Sequence, residues 1–131
     1  MVESSLDTAL TVKLPVDRKA PGLARRALEG LNGELEGVRE SVRLLVSEAV
    51  TNSVRHAGLS EEEKIELEIS SGATTVRVDV VDRGRGFDPA RSIEAGPEGG
   101  FGLFLVGELA DRWGFEPSDS RLWFEIDRAA A

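Results

Sequence analysis

Apolar side chains at Leu10, Val12 and Leu14 alternate with Thr11 and Lys13, a period of two that predicts a strand with one wet face, closed by Pro15. From Asp17 to Leu31 the spacing changes. Leu23, Ala24, Ala27, Leu28 and Leu31 form one helical stripe, Pro21 fits a first turn, and Asn32-Gly33 is a stop. A second and stronger helix is expected from about Gly37 to Ala57, where Val42, Leu45, Val46, Ala49, Val50 and Val54 make a broad apolar face ending at Gly58. Ile65, Leu67 and Ile69 then alternate with Glu66 and Glu68. After Ser71-Gly72, Val76, Val78 and Val80 alternate with Arg77 and Asp79, so two strands joined by a tight turn follow.

Gly84 to Gly102 holds six glycines and two prolines, too many for regular structure, and reads as a long irregular loop of the kind that is usually functional. A third helix is predicted from near Gly102 through Leu103, Leu105, Val106, Leu109 and Ala110, and a last strand turns Leu122, Phe124 and Ile126 inward and Trp123 outward. The expected order is strand, helix, helix, strand, strand, glycine loop, helix, strand. Half-wet strands with enough helix to cover their dry face imply an α+β fold, a two-layer sandwich in which a ligand can lie between sheet and helices.

The length of 131 residues suits one domain, residues 1–131, and the 40% hydrophobic and 31% charged content lies within the globular class. A formal net charge of −8 without a dense Lys/Arg stripe argues against a nucleic-acid partner held through its phosphates. With no cysteine and one histidine, neither a disulfide framework nor a zinc cluster is available. Neither a signal-peptide pattern nor a membrane-length apolar run is present, which fits a cytoplasmic location.

Three clusters carry the candidate chemistry. In Ser47-Glu48-Ala49-Val50-Thr51-Asn52, Glu48 and Asn52 stand four apart and stack on one helix face, read here as distinct from the apolar one. Asparagine is a poor mid-helix residue, and a Mg²⁺ ion that takes its carbonyl oxygen would account for it; a merely polar helix surface is the alternative. In Val80-Val81-Asp82-Arg83-Gly84-Arg85-Gly86, strand parity points Asp82 to the interior, where a carboxylate needs a partner such as the amino group of adenine, and the glycines permit close backbone approach. The alternative is an ordinary turn. In Gly99-Gly100-Phe101-Gly102-Leu103 a glycine cluster opens into a helix whose free N–H groups favour phosphate.

In this order, the three clusters resemble the N-box and the two glycine boxes of the Bergerat-type ATPase superfamily, the histidine-kinase-like fold shared by gyrase and histidine kinases. Within it the chain is most similar to the anti-sigma factor serine/threonine kinases of bacterial partner-switching systems, over about Leu10 to Ile126. The resemblance implies a mixed sheet with helices on one face, ATP and Mg²⁺ as ligands, Asn52 on the metal, and Asp82 on the adenine. It also implies that Gly84, Gly86 and Phe87 shape the base pocket, that Gly100, Phe101, Gly102 and Leu103 hold phosphates, and that the loop from Phe87 to Gly99 is the ATP lid. Glu48 is the implied general base. His56 is either a helix-end cap or a phosphate neighbour, and Arg55, Arg83 and Arg85 are the nearby cations. Where relatives carry Gly-Thr before the last strand, this chain has Asp119-Ser120, and Ser120 retains a hydroxyl for Asp82. The implied partners are a sigma factor, a STAS-type anti-anti-sigma protein that accepts phosphate, and a second copy of the chain paired through its first strand and the neighbouring helix, giving a homodimer. A nucleotide-gated binding module without catalysis, and a histidine-kinase catalytic domain acting in trans, are the competing functions.

Overall fold

A computed structural model describes residues 6–56, 63–82 and 106–128. Strand β1 (Asp7–Pro15) leads into helix α1 (Ala20–Leu28), a 3₁₀ turn (Gly33–Leu35), helix α2 (Arg39–His56) and the hairpin of β2 (Lys64–Ser71) and β3 (Thr75–Val81). Helical residues 106–109 precede a second hairpin of β4 (Arg112–Glu116) and β5 (Arg121–Asp127). The sheet order is β1-β2-β3-β5-β4.

Every described ladder is antiparallel, so the mixed sheet implied by the resemblance is corrected here. Connection geometry is the reason. Two helices packed on each other, α1 and α2, return the chain to the end where β1 finished, and β2 therefore runs back along it. Strands β3 and β4 do run the same way, but β5 lies between them and is antiparallel to both.

Inward positions match across the ladders. Leu14 faces Ile65, Leu67 faces Val80, Ile69 faces Val78, and Val78 in turn faces Phe124. With Leu28, Leu35, Leu45, Val46 and Val50 from the helical layer they form the core, all at 2% exposure or less. Each such side chain contributes on the order of 2 kcal/mol by leaving water. Trp113 and Phe115 extend this face through β4, a strand absent from the expected order.

The helices begin and end with recognisable chemistry. Asp17 Oδ1 accepts the Lys19 N–H at 2.8 Å just before α1, whose first turn carries Pro21. Gly37, two residues ahead of α2, has φ +87°, a conformation that only glycine adopts cheaply. At this end of the sheet Arg128 acts as a clasp: its guanidinium donates to the carbonyls of Gly72 (3.1 Å) and Glu34 (2.7 Å) and to Ser71 Oγ (2.8 Å). The β2–β3 turn and the segment between the helices are thus held to the exit of β5.

Candidate functional site

At the opposite end of β3 the chain leaves the sheet through Asp82, which continues the inward parity of Val76, Val78 and Val80 and is 3% exposed. Desolvating a carboxylate costs several kcal/mol unless it is hydrogen-bonded. Part of that requirement is met by Ser120, the last residue of the β4–β5 turn. Its Oγ donates to Asp82 Oδ1, and its carbonyl accepts the Asp82 N–H at 3.2 Å. The contact expected of Ser120 is therefore made without a preceding glycine. Ser120 itself takes φ 54°, the left-handed region that a serine enters only at a cost.

Helix α2 covers the same side of the sheet and packs on β3. On it Asn52 is 4% exposed, which corrects the expectation that Asn52 sits on a face apart from the apolar one. It lies two turns beyond Leu45, a residue at 0% exposure, so its stripe runs along the margin of the core. Glu48, one turn earlier, is half-buried. The Nδ2 of Asn52 is buried and has no hydrogen-bond partner among the described residues. An amide left so costs about 1–3 kcal/mol, which a bound group can offset: its carbonyl oxygen is a ligand for a hard cation and its NH₂ is a donor to a phosphate oxygen. The described residues hold no cluster of three acidic or imidazole ligands. The carbonyl oxygen of an asparagine is a ligand type that Mg²⁺ accepts, with phosphates and water completing its shell.

The structure thus joins Ser120 to Asp82 directly and places Asn52 and Glu48 on the helix that covers β3. Gly84, Gly86, Phe87, Gly100, Phe101, Gly102 and Leu103 lie outside the described residues, as do the lid from Phe87 to Gly99, Arg83 and Arg85, the start of the third helix, and the side chain of His56. Within the predicted third helix, residues 106–109 are helical and Val106 is fully buried.

Behind the site, the outer sheet face carries a charged network that pattern reading missed. Asp79, 5% exposed, receives Arg77 through Nε and Nη2 at 3.0 and 3.1 Å and Arg121 Nη1 at 2.9 Å. Those hydrogen bonds to Asp79 raise both arginine pKa values above the ordinary range. Arg121 also binds Asp119, so the network reaches the residue preceding Ser120 and braces the turn that holds it. Trp123, on the outward face as expected, is half-buried, with the Arg77 guanidinium 4.6 Å above its ring. Opposite charges at alternate outward positions, Arg77 with Asp79 and Asp119 with Arg121, were the available signal.

A wide depression of about 1090 Å³ bordered by Gly33, Glu34, Gly72 and Arg128 contains none of these residues, and its arginine is already engaged by backbone carbonyls. The Asp82–Ser120 pair is at the other end of β3.

Comparison with known proteins agrees with that geometry. The family described as the histidine kinase-like ATPase domain matches residues 16–125. The serine-protein kinase RsbW of Oceanobacillus iheyensis is 33% identical, the match covering 78% of this chain and 75% of the relative. That of Listeria innocua is also 33% identical, over 82% and 79%. The Bacillus subtilis protein of the same name is 29% identical over 78% and 74%. A buried acid clasped at the end of a strand, an orphaned amide on the covering helix and a match over most of the length lead to one assignment: the chain belongs to the histidine kinase-like ATPase family.

Proposed function

We propose that the chain is an ATP-dependent protein serine/threonine kinase that also acts as an anti-sigma factor, with a STAS-type anti-anti-sigma protein as phosphoacceptor and a sigma factor as second partner. Support comes from relatives named serine-protein kinases and from the site itself. The observation that carries most weight is the clasped Asp82, a buried carboxylate held by Ser120 at the end of β3.

In this reading Asp82 accepts a hydrogen bond from the adenine amino group, and Ser120 keeps the carboxylate oriented by occupying Oδ1. Asn52 holds Mg²⁺, which when bound neutralises phosphate charge. Glu48 accepts the proton of the incoming serine hydroxyl as that oxygen bonds to the γ-phosphorus and the bond to the β–γ bridging oxygen breaks, releasing ADP. Phosphoryl transfer asks the protein chiefly for positioning, and side chains on a helix and at a strand end are well suited to supply it.

Among the described strands β1 (Asp7–Pro15) is at the sheet edge, where it offers a second copy a ladder to extend, the homodimer of this reading. Among the described residues no helix is long and apolar enough to cross a membrane, in keeping with a cytoplasmic setting.

The test is transfer of labelled γ-phosphate from Mg-ATP to a STAS-type acceptor by the wild-type chain and by Glu48→Gln. Loss of transfer by about 10²–10⁴-fold with ATP affinity retained is expected. Undiminished transfer by the variant refutes the role of Glu48, and no transfer by the wild type refutes the kinase.

A further inference from the structure

Asp79 lies on the outer face of β3 and Asp82 just past the strand's end on the inner face, and a chain of polar contacts connects the two round the end of the sheet. Arg121 Nη1 donates to Asp79 Oδ2 at 2.9 Å. The Nε and Nη2 of the same guanidinium both lie 3.1 Å from Asp119 Oδ2. Next in the chain is Ser120, whose hydroxyl and carbonyl hold Asp82. Strand β3 and its exit are thus tied to the 117–120 turn at two places, on the outer face through Arg121 and on the inner face through Ser120.

The task of Arg121 follows from what it is not needed for. Asp79 is 5% exposed and requires a counter-charge, but Arg77 already meets both of its oxygens, Nε with Oδ1 at 3.0 Å and Nη2 with Oδ2 at 3.1 Å. Asp79 therefore serves Arg121 as an anchor, fixing the guanidinium plane so that two of its donors bear on Asp119. The turn requires such a hold. Its backbone closure, from the Ser120 N–H to the Pro117 carbonyl, is long at 3.3 Å, and Ser120 sits at φ 54°, a region that a serine enters at a cost. Relaxation of Ser120 would draw its hydroxyl off Asp82 Oδ1.

We propose that Arg121, anchored on Asp79 and gripping Asp119, is a positioning residue for Asp82: it keeps Ser120 in its left-handed conformation and so sets how sharply the buried carboxylate tells an amino group from a carbonyl on a bound purine. Arg121 stands on the outer sheet face, away from α2, and acts through Ser120 rather than by touching a ligand. That the ligand is a purine rests on the kinase reading; the brace itself does not.

Amide hydrogen exchange, followed by NMR on the nucleotide-free chain, tests the brace. The Asp82 N–H, bonded to the Ser120 carbonyl, should exchange about tenfold faster in Arg121→Gln and in Asp119→Ala, and the double variant should exchange as the single ones do. Arg77→Gln, which removes bonds to Asp79 and Glu125 on the same face, should keep the wild-type rate. An unchanged rate in both Arg121→Gln and Asp119→Ala, or an equal rise in Arg77→Gln, overturns the brace. Titration calorimetry with ATP and with inosine triphosphate, which carries a carbonyl where adenine has its amino group, tests the positioning. Wild type should prefer ATP by about 10–100-fold, and Arg121→Gln and Asp119→Ala should lower that ratio by about three- to tenfold. A ratio unchanged in Arg121→Gln overturns the positioning role, because a residue that only stabilised the fold would weaken both nucleotides alike. Equal affinity of the wild type for the two nucleotides, or none for either, overturns the purine reading of Asp82 alone, and the exchange rates still decide the brace.

Discussion

Ser120 performs two tasks that substitution can separate. Its hydroxyl satisfies Asp82 at a position 3% exposed, where water is a poor replacement, and its backbone is held at φ 54°. A hydrogen bond to a charged group contributes about 1.5–3 kcal/mol, and a non-glycine residue in the left-handed region costs about 1–2 kcal/mol. Ser120→Ala loses the bond and keeps the backbone cost, so unfolding in urea should show a loss of about 1.5–3 kcal/mol. Ser120→Gly loses the same bond but relieves the backbone. After about 0.4–1 kcal/mol is returned through the greater freedom of glycine in the unfolded chain, it should be the more stable of the two by about 0.5–1 kcal/mol. Calorimetric titration with ATP should rank the variants differently, since both leave Asp82 without its orienting donor and both should bind about three- to tenfold more weakly. An alanine variant as stable as wild type, or a glycine variant less stable than alanine, would refute the two-task account.

Asp82→Asn removes the acceptor proposed for adenine and should weaken ATP binding by about 10–100-fold with the circular dichroism of the fold retained, read by the same titration. Gly114→Ala would place a Cβ 2.8–2.9 Å from the Trp123 indole, so chemical denaturation should report a loss of about 1–3 kcal/mol, and an unaffected midpoint would mean the ring moves freely. Arg112 binds Asp127 and, with help from Thr75, holds its carboxyl below the usual range. A depressed folded-state value stabilises the protein above the unfolded pKa of about 4, and that contribution is lost as pH falls from there through the lower folded-state value. Arg112→Gln should therefore show a shallower loss of stability below pH about 4 than wild type, in low salt, followed by acid titration of the unfolding midpoint.

The strands and helices with unbroken periodicity were legible. Leu10 to Leu14, Ile65 to Ile69 and Val76 to Val80 alternate cleanly, and each is a strand whose alternate side chains are inward. Strand β4 was not, because Gly114 interrupts Trp113 and Phe115 and reads as a breaker; its meaning depends on Trp123, nine residues away, which lies against the space a side chain would fill. Sheet direction was misjudged for a comparable reason. Periodicity says which residues are in strands, whereas the placement of β5 between β3 and β4 is decided by tertiary packing. For the site, parity was enough to turn Asp82 inward, and one hydroxyl near the last strand was enough to suggest its partner. The burial of Asn52 was hidden by treating Glu48 and Asn52 as a single face, when one turn carries the helix surface from half-buried to buried.

The position of β5 also bears on how the molecule can be made. It is the latest of the described strands to leave the ribosome, yet it is interior to the sheet and delivers Leu122, Phe124 and Ile126 to the centre. Until residue 127 has emerged, β3 and β4 each present an unzipped border and Val78 lacks Phe124, one of its two cross-strand neighbours. Vectorial synthesis can therefore prepare the β1–β2–β3 half and its helices in advance, but closure of the hydrophobic interior awaits β5, and until then the nascent chain keeps apolar surface and strand edges exposed.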